Sequence, residues 1–394
     1  MQKRMSGTVA TTRPNRRKVL ECGGCDTALE SREPSNSDDP ATSKAVSRFA
    51  CHRTPGRKRG ILVFLIRRPI QGSLRVFIFL MLGSIALFLA GCGKSNNTVQ
   101  APATGSPPQQ QQFVIGMSQC NLNEPWRVQM DADIQAAAAK HPELKVVFKD
   151  AQNDTLQQRA QVEEFVSDKV NLIIISPKET QPLTEPVAEA MQAGIPVIVL
   201  DRRLLGTNYT CFIGADNKKI GKAAGEWIVK ALGGKGNVVE LMGLQTSSPG
   251  QDRHSGFMEA IAGTDIKVIF SADMKWLEAD ARQEMESALS RFDHIDLVYA
   301  HNDDGAHGAY LAAQAAGREK QIKFVGIDAL PQEGVAYVRQ GILNATFQYP
   351  TGGAQAIDTA LKILHGESVP KEITLNTRLF TKDNVEQGGE PIQN

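Results

Sequence analysis

Residues 172–203 read LIIISPKETQPLTEPVAEAMQAGIPVIVLDRR. Leu172 to Ile175 and Pro196 to Leu200 are short, β-rich apolar runs bounded by turn residues, as expected of strands covered on both faces. Between them, Thr184 to Ala193 carries a helical pattern. Strand, helix and strand in such a short span form the unit of a parallel sheet, because parallel strands need a crossover to return the chain to the starting edge.

The alternation continues in both directions. Further strands are expected at Phe113 to Met117, Lys145 to Phe148, Thr210 to Ile213, Asn237 to Leu241, Lys267 to Phe270, Asp296 to Ala300 and Lys323 to Ile327. Helices are expected over Val128 to Lys140, Leu156 to Lys169, Ile220 to Leu232, Gly250 to Ala262, Asp280 to Arg291 and Asp304 to Ala316. The body from Phe113 to Asn394 has 282 residues, so nine such strands divide better into two lobes than into one sheet. The expected class is α/β, with two doubly wound parallel-sheet lobes.

Ahead of the body, Val76 to Ala90 reads VFIFLMLGSIALFLA after Arg67, Arg68 and Arg75. At 15 residues it is shorter than the roughly 20 that span a bilayer, and it fits the apolar region of an export signal. Leu89-Ala-Gly-Cys92 resembles the lipobox of bacterial lipoproteins, which implies lipidation of Cys92. Residues 67–91 are therefore expected to be a lipoprotein signal peptide. Residues 92–112, rich in Pro, Ser and Gln, are expected to be the lipidated Cys and a flexible tether. Residues 1–66 read as an N-terminal extension, with translation beginning nearer the Arg67-Arg68 pair. Cys22-Gly-Gly-Cys25 and Cys51-His52 are too far apart, in too polar a context, to read as a zinc site.

Charge is unevenly distributed along the chain. Residues 1–70 carry 15 basic and 6 acidic groups, whereas residues 92–394 carry 28 basic and 37 acidic groups. An acidic body argues against nucleic acid as a partner, since phosphate binding needs a basic face. The chemistry of catalysis is thin. Neither Gly93-Lys94-Ser95 nor Gly233-Gly-Lys-Gly completes a phosphate loop, and no nucleophile elbow is present. His301, Asp303, Asp304 and His307 straddle a strand end and a helix start, a poor metal set. No enzyme activity, cofactor or metal is expected. Cys120 and Cys211 read as two small hydrophobes.

Ligands of doubly wound sheets bind beyond the carboxyl ends of the strands. At those ends stand Ser118 through Arg127, Asp201-Arg202, His301-Asn302-Asp303-Asp304 and Asp328. Aromatic faces beside carboxylate, amide and guanidinium groups suit a polyhydroxylated ligand, with stacking on one side and charge-assisted hydrogen bonds around it. The competing reading is that Asp201 and Asp304 only cap helices.

From Phe113 onward the chain resembles the periplasmic sugar-binding proteins of the ribose-binding type. The resemblance rests on Asp150-Ala-Gln-Asn, Ile195-Pro-Val-Ile-Val-Leu-Asp-Arg, Gly214-Ala-Asp-Asn, Tyr299-Ala-His-Asn-Asp, Val325-Gly-Ile-Asp and Asn344-Ala-Thr-Phe-Gln. Ser118-Gln, Trp126-Arg127, Pro177-Lys-Glu-Thr180 and His301-Asn-Asp-Asp are most similar to the galactofuranose-binding branch. That implies ligand contacts at Ser118, Trp126, Arg127, Asp201, Arg202, Arg253, Trp276, Asn302, Asp328 and Gln348. Trp126 is expected to stack on the sugar, Arg127, Arg202 and Arg253 to donate to it, and Asp201 and Asp328 to accept from it. Trp276 reads equally well as core packing.

The resemblance implies lobes made of residues 113–215 plus 349–377 and 216–348 plus 378–394. They would be joined by a hinge of three crossings near Asp216, Gln348 and Thr377, with the ligand cleft between. It also implies a monomer that delivers a monosaccharide to the permease of an ATP-driven (ABC-type) importer, held to the membrane through Cys92. The alternatives are a ligand sensor presenting its closed form to a chemoreceptor or sensor kinase, and a transcription regulator of the lactose-repressor type. The last needs a DNA-binding module where this chain carries its export signal.

Overall fold

The structure, a computed structural model, describes residues 112–392. The extension, the signal peptide, Cys92 and all of the tether but Gln112 lie outside the described residues. The first lobe opens with β1 (Phe113–Gln119), α1 (Pro125–Ala138), β2 (Leu144–Asp150), α2 (Thr155–Ser167), β3 (Leu172–Ser176), α3 (Thr184–Gln192), β4 (Val197–Leu200) and β5 (Cys211–Gly214). The second holds α4 (Asn217–Leu232), β6 (Lys235–Met242), α5 (Ser248–Ile261), β7 (Asp265–Asp273), α6 (Glu278–Arg291) and β8 (Leu297–Ala300). It continues with α7 (Asp303–Ala315), β9 (Lys323–Asp328), α8 (Gly334–Gln340) and β10 (Ala345–Gln348). The chain then returns to the first lobe for α9 (Gly353–Leu364) and β11 (Glu372–Thr374). It ends in the second with β12 (Arg378–Thr381) and β13 (Glu390–Pro391).

The first sheet has strand order β11-β5-β4-β3-β1-β2 and is wholly parallel. The second runs β13-β12-β10-β9-β8-β6-β7. It is parallel, as expected, except at one edge. β12 pairs antiparallel with β10 and β13 antiparallel with β12, because the chain re-enters from the hinge without a helix to reverse it.

The apolar runs of the opening segment explain themselves in section. In β3, Leu172 and Ile174 pack into one core cluster while Ile173 and Ile175 pack into another. In β4, Ile198 and Leu200 divide from Val197 and Val199 in the same way. Both faces are covered, by α1 with α9 on one side and α2 with α3 on the other, so neither can be polar. In the second lobe α4 packs on α5 and α6 on α7. The α4–α5 contact is backbone-close: a Cβ at Gly221 would overlap the Arg253 carbonyl, so glycine there is what brings α5 and its Arg253 to their place.

The lobes exchange chain at three points, between β5 and α4, between β10 and α9, and between β11 and β12. They also touch across the cleft. Thr180 N donates to Thr246 O at 3.1 Å, Arg203 N donates to Ser248 Oγ at 2.8 Å, and the Arg202 guanidinium carbon lies 5.4 Å from the centre of the Trp276 ring. The lobes are thus closed on each other.

Candidate functional site

The cleft, open to solvent, holds about 260 Å³ of space between atoms, lined by Glu124, Trp126, Arg127, Asp201, Arg202, Pro249, Arg253, Trp276, Asp328 and Tyr349. Seven of the ten residues expected from sequence meet there. Ser118, Asn302 and Gln348 are not among the lining residues.

The first-lobe wall is built where α1 begins. Pro125 at the first helical position, with its fixed φ, starts α1 directly after Glu124, whose carboxylate makes no cap bond to the helix. That carboxylate instead accepts from Arg127 Nε at 3.1 Å and from Asn121 Nδ2 at 2.8 Å. Arg127 reaches across the ends of three strands. Its Nη1 donates to Gln119 Oε1 at 3.0 Å and to Ser176 Oγ at 2.9 Å, and its Nη2 to Asp201 Oδ2 at 3.2 Å. A guanidinium has five N–H groups, and four of these are taken by the protein. Arg127 thus braces Glu124 and Asp201 while it lines the cleft, with one N–H left over. Ser176 Oγ adds a bond to Asp201 Oδ2 at 3.0 Å.

Trp126 presents its ring to the cleft, while its indole N–H donates to the Tyr349 carbonyl at 2.8 Å. The two rings pack at 5.5 Å, and Tyr349 Oη donates to the Asp201 carbonyl at 2.9 Å. Arg202 Nη1 donates to the Lys178 carbonyl at 3.0 Å, and its buried Nε makes no hydrogen bond but stands 3.7 Å from Asp201 Oδ2.

The second-lobe wall centres on Arg253 and Trp276. Arg253 Nε donates to Asn217 Oδ1 at 2.9 Å, Nη1 donates to the His301 carbonyl, and Asp328 Oδ1 stands 3.8 Å from Nη1. Trp276, 4% exposed, lies over Gly243, where any Cβ would overlap its ring. Arg253 and Arg202, one from each lobe, approach that ring to 5.3 and 5.4 Å, and its indole N–H has no acceptor. The structure thus places Trp276 at the cleft rather than in a core.

The three residues off the lining have visible roles. Ser118 is buried, and its hydroxyl donates to Gln161 Oε1 of α2 at 2.9 Å. Asn302 caps α7 by accepting from Gly305 N at 3.0 Å and fixes the Trp276 backbone by donating to its carbonyl at 3.0 Å. Gln348 pairs in register with Asp328 at the end of β10. The α7 cap is thus Asn302, with Asp304 in the first turn. Glu124 and Tyr349 escaped sequence reasoning. Glu124 carried a signal, as the acidic residue before Pro125 and three before Arg127.

Strain and charge mark the site. Asp201 and Trp276 both have φ of +71° and Asp328 has φ of +126°, conformations that cost a non-glycine residue roughly 1–3 kcal/mol each. Burial pushes the Asp328 carboxyl well above the usual carboxylate range, against the pull of Arg253. Asp304 is pushed up to about 8 by burial and by the charges of Glu333, Glu124, Asp303 and Glu278. Among the described residues no cluster of three or more His, Cys, Asp or Glu side chains is arranged for a metal.

Comparison with known proteins places this architecture. The periplasmic binding protein domain family matches residues 115–368. The ribose import binding protein of Bacillus subtilis is 32% identical over 273 residues, covering 69% of this chain and 88% of that one. The galactofuranose-binding protein of Escherichia coli is 32% identical over 294 residues, covering 72% and 92%. Among solved structures, the fructose-binding periplasmic domain of a hybrid two-component system is 45% identical with a TM-score of 0.68, covering 70% of this chain and 93% of that one. These relatives are binding proteins, not enzymes. With two parallel-sheet lobes closed over a polar cleft and the family matched across most of the described residues, the chain belongs to the periplasmic binding protein family.

Proposed function

We propose that the chain binds a monosaccharide in the cleft between its lobes and delivers it to the permease of an ABC-type importer. Residues 113–215 plus 349–377 act as one rigid lobe and residues 216–348 plus 378–394 as the other. A ligand touching both stabilises the closed form, and the permease reads that closure. The protein works outside the cytoplasmic membrane as a monomer, anchored through lipid on Cys92.

One observation carries the reading. Arg202 Nε, 3.7 Å from Asp201 Oδ2, and Trp276 Nε1 are buried without a hydrogen-bond partner, on residues that line from opposite lobes a cleft also lined by Glu124, Asp201 and Asp328. Buried N–H groups left unpaired are costly. A compact polyol supplies acceptors to both donors and hydroxyl protons to the carboxylates, while the faces of Trp126 and Trp276 take its C–H surface. The relatives' ligands, ribose, galactofuranose and fructose, are of this kind.

The test is a thermal-shift screen of residues 113–394 against monosaccharides and polyols. Ligand at a hundredfold excess over Kd adds about 2.7 kcal/mol, which corresponds to a rise of roughly 5–10 °C. A folded protein whose melting temperature moves with no sugar overturns the proposal. A second reading, a sensor that presents its closed form to a membrane kinase, is favoured by the similarity to the periplasmic domain of a hybrid two-component system. Binding of the sugar-loaded protein to permease-containing vesicles, compared with binding to a sensor ectodomain, separates the two.

A further inference from the structure

Behind the second-lobe wall lies Glu240, in β6, with no solvent exposure. Its neighbours Val239 and Leu241 face an apolar cluster on the other side of the sheet, so an aliphatic residue would satisfy packing at this position. The carboxylate is instead fully engaged. Its Oε1 lies 2.9 Å from His254 Nδ1 and 3.2 Å from His301 Nε2, and its Oε2 lies 3.1 Å from His254 Nδ1 and accepts from Ser271 Oγ at 3.3 Å.

Both histidines lead to one place. His254 follows Arg253 on α5, and the His301 carbonyl accepts from Arg253 Nη1. One carboxylate therefore fixes both the turn of helix that carries Arg253 and the acceptor that aims its guanidinium. The geometry points to Glu240 as the positioning residue for Arg253, acting through His254 and His301 without touching the ligand. This rests on the reading of the cleft as a sugar site.

Protonation agrees with the geometry. Burial opposes ionisation of Glu240, but the histidine bonds outweigh it and hold the carboxyl down to about 2. His301 is fully buried, and burial pushes it below the ordinary range, so it is neutral and presents Nε2–H to the carboxylate. His254, 39% exposed, is raised by its bond to Glu240 and carries the positive charge of the pair as pH falls.

The experiment is a double-mutant cycle in sugar affinity, measured by calorimetry with the best ligand of the thermal screen. Glu240→Gln, nearly isosteric, is expected to weaken binding about fivefold, and Glu240→Leu about twentyfold. Arg253→Lys removes the fork that bonds Asn217 and His301 together. In that background Glu240→Gln is expected to cost less than twofold, whereas in an Arg202→Lys background it keeps its full fivefold effect. A merely structural role gives the same loss in both backgrounds, and that result overturns the inference. So does a Glu240→Gln protein that binds like wild type. If Glu240→Leu does not fold, the Gln cycle alone decides. A wild-type protein that binds no sugar overturns the proposed function itself, and the inference falls with it for that separate reason.

Discussion

Replacing Arg127 by Ala is expected to destabilise the protein before any ligand is added. The guanidinium, 2% exposed, joins two carboxylates that are themselves 6% and 5% exposed, Glu124 and Asp201, and also bonds Gln119 and Ser176. Removing it leaves Glu124 buried without its cation and Asp201 with only Arg202, whose Nε stands 3.7 Å away. Breaking such a pair by deleting one partner costs about 3–5 kcal/mol. For a body of this size that corresponds to a fall of roughly 6–20 °C in melting temperature. Urea denaturation of the ligand-free protein, fitted with a shared m-value for wild type and Arg127→Ala, gives the number directly. Glu124→Gln in the Arg127→Ala background is expected to recover part of the loss, because the orphaned charge is gone. If ligand-free stability changes by less than about 0.5 kcal/mol while sugar affinity collapses, Arg127 is a ligand donor first and the bracing argument is wrong.

Gly243→Ala drives a methyl into the Trp276 ring and is expected to weaken sugar binding at least tenfold while leaving the first lobe intact; calorimetry with native far-ultraviolet circular dichroism checks it, and unchanged affinity refutes the placement of that ring. Asp304 supplies a pH signature. Its carboxyl is raised from an ordinary 3.8 to about 8, so the folded protein holds a proton that the unfolded chain has lost between those values. The contribution to stability is whole below about 4 and declines as pH rises toward 8. Asp304→Asn is expected to flatten the fall in stability between pH 5 and pH 8 in urea titrations, and parallel wild-type and variant curves count against it.

How much was legible in the sequence follows from where the information sits. β3 and β4 announced themselves because both faces are buried and the run has no polar break, and the seven expected helices lie within a few residues of the observed ones. The closing elements did not. β11, β12 and β13 are short, and their place is set by the hinge crossings, which are tertiary facts; α9 does carry an amphipathic pattern, with Ala356, Ile357 and Ala360 buried, and was legible but not read. In the site, Asp201, Arg202 and Asp328 were legible because they stand at or just after the ends of strands. The division of labour was not, because it depends on bonds between residues far apart in sequence. Arg127 is consumed by Gln119, Ser176 and Asp201, and Trp126 gives its N–H to Tyr349, across a separation no local pattern encodes.

The chain has three tryptophans, and their distribution turns the protein into its own optical gauge. Trp126 and Trp276 face the cleft from opposite lobes, one resting on the Tyr349 ring at a hinge crossing and the other against two guanidinium groups. Trp227, on α4, packs at the edge of the core and supplies a constant background. On the proposed hinge motion, opening the lobes would part Arg202 from the Trp276 ring and expose an indole that is 4% exposed in the closed form. Emission wavelength and quenching by iodide would then report the angle between the lobes in unlabelled protein, with Trp227→Phe removing the background and Trp126→Phe isolating the second-lobe signal.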